Sequence, residues 1–164
     1  MTTSSPGNAA AATQLADRAT AVAGTFRGVA NDLLDRAQAL RADGSLGGDD
    51  FTLVSQRCMS LFAQAMAIDN EAFIAIAADV AHEFSAIEDG TRELERVRAR
   101  IKTAKTVIGV VTKVLTAAGA VAAAIVNPAG IPLAAGEIVL AVTAIVDAGQ
   151  PDDKKLDPVD PGNG

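Results

Sequence analysis

A chain of 164 residues that is 49% hydrophobic but only 3% aromatic, with no Trp and no Tyr, is long enough for one sizeable core and has to fill it with Ala, Leu, Val and Ile. Such a filling suits closely spaced helices and suits a β-sandwich poorly, so an all-α fold is expected. The net charge of −6 is unevenly spread: residues 92–105 hold six of the 14 cations and two of the 20 anions, which gives this run +4 and leaves −10 on the rest. The single cysteine, Cys58, excludes an internal disulfide framework.

Residues Met1 to Ala12 show no apolar period and no basic segment followed by an apolar core, so they read as a disordered leader rather than a secretory signal. A cytoplasmic soluble form with membrane association is the localisation this implies. The single helical domain expected over 13–149 opens with a heptad seam at Leu15, Ala19, Val22, Phe26, Val29, Leu33 and Leu40. Arg36 stands where that pattern wants an apolar residue, and Asp32, four positions earlier, is its expected partner on the same helix. Asp43-Gly44-Ser45-Leu46-Gly47-Gly48 ends the helix, and Asp49 or Asp50 is placed to cap the next one.

From Phe51 to Asp89 apolar residues spread over more than one face, which predicts the central helix of the soluble part. Asp69-Asn70-Glu71 interrupts the pattern, but no Gly or Pro lies inside the segment, so a continuous helix is expected. Asp79, His82 and Glu83 share helical spacing, yet His82 is the only histidine and no second metal-binding pair exists for it. Cys58 has no partner histidine at a readable spacing and reads as a buried structural thiol. No catalytic, cofactor-binding or metal-binding residue is assigned, and the chain is expected not to be an enzyme.

Glu88-Asp89-Gly90-Thr91 predicts a tight turn with Thr91 as N-cap of a long helix to Val126. Its seam, Leu94, Val97, Ile101, Ala104, Ile108, Val111, Leu115, Ala118, Ala122 and Ile125, alternates steps of three and four over about 50 Å. Up to Lys105 the helix is amphipathic and basic. Beyond it only Lys113 is charged. Asn127-Pro128-Ala129-Gly130-Ile131-Pro132 must end the helix, and Pro132 suits the first position of another, running to about residue 148 and closed by Gly149 and Pro151. Four principal helices result, at about 12–43, 50–89, 91–126 and 132–148, the last two forming a hydrophobic hairpin. The tail 150–164, polar and proline-rich, is expected to be disordered.

The hairpin is the segment most open to functional reading. Residues 106–126 are long enough to cross about 30 Å of hydrocarbon and residues 131–146 are slightly short. Lys113 and Glu137 would each cost roughly 2.5 to 3.5 kcal/mol at a bilayer centre. Asp147, counted outward from the turn, lies within about a turn of Lys113 and could pair with it. Gly109, Ala118, Gly119, Ala122, Ala123 and Gly136 would let the two legs approach closely. The expected membrane-contacting residues are Ile108, Val111, Leu115, Val121, Ile125, Pro128, Pro132, Leu133, Ile138, Leu140 and Ile145. Arg92, Arg96, Arg98, Arg100, Lys102 and Lys105 would meet anionic headgroups. Nucleic acid is not expected, because the chain is acidic and no aromatic residue lies between Gly90 and Lys113 to stack on bases.

On Thr106-Val107-Ile108-Gly109-Val110-Val111, Ala117 to Val126, the Asn127-Pro128-Ala129-Gly130 turn and Pro132 to Val146, the organisation of residues 91–147 resembles α-helical pore-forming toxins and, more loosely, colicin-type pore domains. The resemblance implies a soluble helical form able to expose an apolar hairpin, and no catalytic residue. The expected function is therefore a non-enzymatic membrane-interacting or pore-forming protein. The alternative is a soluble bundle whose seams dock on partner helices or a second copy, as an adaptor, immunity or assembly protein.

Overall fold

Every residue of the first seam from Leu15 to Leu40 is buried in the computed structural model, which describes residues 6–74 and 83–149. Helix α1 spans Pro6–Ala42 and so begins inside the stretch expected as a leader; a proline in the first turn forfeits no helical hydrogen bond. Ala23, Ala30 and Ala37 widen its buried stripe. Gly44, at φ +83°, turns the chain after α1, and Leu46 folds back to donate its N–H to the Leu40 carbonyl at 3.0 Å.

Helix α2, Gly48–Ile74, carries Asp49 and Asp50 in its first turn, where the helix dipole favours them, rather than at the cap. It passes through Asp69-Asn70-Glu71 without a break, as expected. It packs on α1 and on residues 108–126, but its buried surface is narrower than expected. Val54, Cys58, Leu61, Ala65 and Ile68 form one buried stripe, while Met59 and Met66 stand 65% and 59% exposed. Asp69 is half-buried and pairs with Arg27 of α1, which is why a polar residue is tolerated there.

The expected helix to Asp89 ends differently. Phe84 is a turn residue and helix α3, Ser85–Val97, runs straight through Glu88-Asp89-Gly90-Thr91. Thr91 is no cap: it is buried mid-helix, and its hydroxyl donates back to the Ile87 and Glu88 carbonyls, 3.0 Å from each. Gly90 is required by packing rather than by a turn, since a Cβ there would lie 2.9 Å from Cγ2 of Ile138.

The predicted long helix is also broken. After α3 the chain tightens into a 3-10 helix at Arg98–Thr103, Ala104 is extended (φ −62°, ψ 130°), and α4 starts only at Ile108 and runs to Val126. Thr103, Thr106, Val107 and Ile108 are β-branched and weak helix formers, but side chains of α1 decide the matter. Arg36 Nε donates to the Ala104 carbonyl at 2.7 Å, and Arg98 Nε donates to Asp32 Oδ2 at 2.7 Å. The Lys105 N–H reaches the Ala148 carbonyl at 3.2 Å. Asp32 and Arg36 thus do not pair with each other; both reach across to hold the break. The Arg98 guanidinium lies where a side chain on Gly28 would be.

A 3-10 turn at Pro128–Gly130, with the Asn127 side chain accepting from the Ala129 N–H, leads into α5, Ile131–Ala148, where Pro132 falls in the first turn. Helix α4 takes the central place, with α2 on one side and α5 on the other; α3 and the 3-10 segment close the bundle between α5 and α1. Among the described residues there is no strand, and the all-α expectation holds with five α-helices.

Two glycine substitutions separate packing from propensity. Gly136 is exposed with nothing within 4 Å of a Cβ, so Gly136→Ala should stabilise by about 0.5–1 kcal/mol and raise Tm by about 2–4 °C. Gly90→Val must push α5 away and should lower Tm, both read from thermal melting followed by circular dichroism.

Candidate interaction site on the C-terminal hairpin

The two hairpin legs are unequally covered. In α4, Val110, Val111, Val114, Ala117, Ala118, Val121, Ala122, Ala124 and Ile125 are buried. In α5 only Ile131, Ala134, Ile138, Ala141 and Ile145 are, one stripe against α3 and α4. Outside that stripe α5 carries Glu137, Thr143 and Asp147 and several half-buried apolar residues, and three large apolar side chains stand out: Leu133 is 66% exposed, Val139 60% and Leu140 47%, with Val126 at the end of α4 66%. Leu133 and Leu140 lie seven apart, and with Pro132, Gly136, Val139 and Thr143 they form the outer face of the helix.

The residues expected to contact lipid therefore divide. Val111, Val121, Ile125, Ile138 and Ile145 are core residues; Ile108, Leu115 and Pro128 are half-buried; Pro132, Leu133 and Leu140 are on the surface. Val126 and Val139 are exposed as well, which periodicity does not reveal, because the sequence pattern says which positions are apolar but not which side a neighbour covers. The close-approach glycines are not where expected: Cβ atoms at Gly109, Gly119 and Gly136 would meet nothing within 4 Å, and Ala123 is exposed. Ala118 and Ala122, also expected there, are buried, as are Ala117, Ala124, Ala134 and Ala141. Lys113 and Asp147 line one groove at the open end of the hairpin, yet no ion pair within 4.0 Å joins them.

The basic run does not form a single cationic surface. Arg92 pairs with Asp89 at 2.8 Å, Arg96 with Glu93, and Arg98 with both Asp32 and Glu95. Arg98, hydrogen-bonded to the Asp32 carboxylate, has its pKa raised and stays a cation. Arg100, Lys102 and Lys105 are exposed beside the open end of the hairpin. Farther along α1, Arg18 pairs with Glu88 and lies 5.6 Å from the Phe84 ring centroid, tying α1 to α3.

Among the described residues no three His, Cys, Asp or Glu side chains are grouped to hold a metal ion. Asp79 and His82 lie outside the described residues, as does the tail from Gln150, and Glu83 is exposed. Cys58 is fully buried on α2, and burial pushes its thiol up to about 11. Arg57 beside it donates to the Thr112 hydroxyl, which sets this turn of α2 against α4.

Comparisons with protein-family models, with curated proteins and with solved structures each returned no match.

The Cys58 environment gives a direct check on this packing. A thiol titrating near 11 is mostly protonated at pH 8, so alkylation by iodoacetamide should be at least about 100-fold slower in the native protein than in the unfolded chain.

Proposed function

We propose that this is a non-enzymatic, membrane-interacting helical protein that meets lipid first through the outward face of α5. The observation that carries the reading is the uncovered apolar surface of Val126, Leu133, Val139 and Leu140 on a hairpin whose legs have mean hydropathies of 1.9 and 2.0. Removing each of those half-exposed side chains from water contributes on the order of 1–2 kcal/mol, so together they supply several kcal/mol. The cations add less. Arg92, Arg96 and Arg98 are already paired within the chain, and an exposed cation near an anionic surface contributes about 1 kcal/mol at most.

The same magnitudes favour contact along the face of α5 over immediate insertion of the whole hairpin. Carrying Lys113 and Glu137 to a bilayer centre would cost roughly 5–7 kcal/mol together, as much as the exposed face returns. Laid on the surface, α5 buries Leu133, Val139 and Leu140 among acyl chains while Lys113 and Asp147 stay at headgroup level. Deeper entry would then require the buried faces of α4 and α5 to leave the bundle.

A second reading, docking on a partner helix, draws on Met59 and Met66, two exposed and adaptable apolar side chains one heptad apart on α2. It predicts a protein that ignores lipid and associates through α2.

Co-sedimentation with liposomes of zwitterionic and of anionic composition tests the proposal. Wild-type protein should bind both, with a modest gain on anionic lipid that high salt removes. Leu133→Asp combined with Val139→Asp should reduce binding at least tenfold. Because both positions are on the surface, melting should change little, within about 0.5 kcal/mol per site. Wild-type protein that stays in the supernatant with every lipid would refute the reading.

A further inference from the structure

Resting on the membrane reading above, we infer that residues 98–107 are a hinge that α1 holds broken, and that freeing it converts α3 and α4 into one continuous helix that carries the hairpin out of the bundle. The apolar seam crosses the break without a slip: Leu94, Val97, Ile101, Ala104, Ile108 and Val111 keep alternating steps of three and four. A break with no other function has no need to preserve that phase. No Gly or Pro lies between Thr91 and Ile108 to force it. The extended residue is an alanine, the strongest helix former, at φ −62° and ψ 130°.

The break is instead stabilised from outside. Arg36 takes the Ala104 carbonyl, which in a continuous helix would accept from the N–H of Ile108. Asp32 takes Arg98 at the start of the 3-10 turn. These two residues stand together on α1, and Arg36 occupies a position in the seam where an apolar residue would pack. Lys105 is tied by its N–H to the end of α5 at Ala148. Local sequence and tertiary contacts thus specify different backbones for the same ten residues, which is the condition for a two-state element.

Joined, residues 85–126 would make a helix of about 63 Å. Helix α4 cannot be collinear with α3 and also remain between α2 and α5. Its departure would expose Val110, Val114 and Val121 with the outer face of α5 and would uncover the side of α2 that packs on α4, beside the Arg57–Thr112 contact and one residue from Cys58. The lipid-seeking area would then grow from one helix face to a complete hairpin.

The test uses the full chain and the alkylation rate of Cys58, first without lipid. Asp32→Asn with Arg36→Gln removes the clasp at nearly constant size and should accelerate alkylation at least tenfold while circular dichroism stays fully helical. Thr106→Pro, at an exposed position outside both helices, is compatible with the break but not with a continuous helix. Added to the double variant, it should return the rate to within about twofold of wild type. A double variant that alkylates as slowly as wild type overturns the hinge. So does acceleration that the proline leaves in place, since that means general loosening. Proline-reversible acceleration in a protein that binds no liposome would retain the hinge and overturn the membrane reading alone.

Discussion

The hydrogen bond from Arg36 to the Ala104 carbonyl is the contact on which the arrangement of the C-terminal half depends. It sits where the chain must change direction between α3 and α4, and it satisfies an acceptor that the helix break has orphaned. A buried carbonyl left without a partner costs about 1–3 kcal/mol, and a charged donor makes the replacement bond stronger than the helical one it displaces. With Asp32 holding Arg98 one turn away on α1, two polar side chains of a single helix determine that α4 folds back into the centre rather than continuing α3 outward.

That choice explains the uncovered face of α5. Among the described residues α4 has neighbours on both sides, but α5 lies at the periphery against α3, α4 and the 3-10 segment. A helix as apolar as α5 needs cover around most of its circumference, and this bundle covers one stripe. Leu133, Val139 and Leu140 are the remainder. Scattered exposed apolar residues are ordinary on protein surfaces; three on one face of a helix that offers almost no polar alternative point to an interaction surface.

The seam of α1, the Asn-Pro turn and both hairpin legs were legible from periodicity and from proline, because local rules govern them. The long helix was misread at residues 98–107 for the opposite reason: its periodicity is intact and the break comes from residues some 70 positions away. Arg36 departs from its own seam, but Asp32 offers it an i+4 partner on the same helix, so the pattern of α1 alone carries no sign of a distant acceptor. A glycine beside Asp89 fits a turn by local rules, whereas in the fold its missing side chain serves contact with Ile138. The buried surface of α2 is narrower than its composition suggests for a related reason: Met59 and Met66 count as apolar in a pattern but stand in water in the fold. What faces outward depends on which helices are neighbours, and single-helix periodicity contains no such information.

Contact of the outer face of α5 with lipid can be followed by an environment-sensitive fluorophore on Leu133→Cys in a Cys58→Ala background, compared with the same probe on Gln56→Cys, exposed on α2. Addition of liposomes should shift the emission at 133 to the blue and make it quenchable by brominated acyl chains, while the probe at 56 remains in water. Water-like emission at both positions, at lipid concentrations that saturate any binding, would show that α5 does not meet the bilayer through this face.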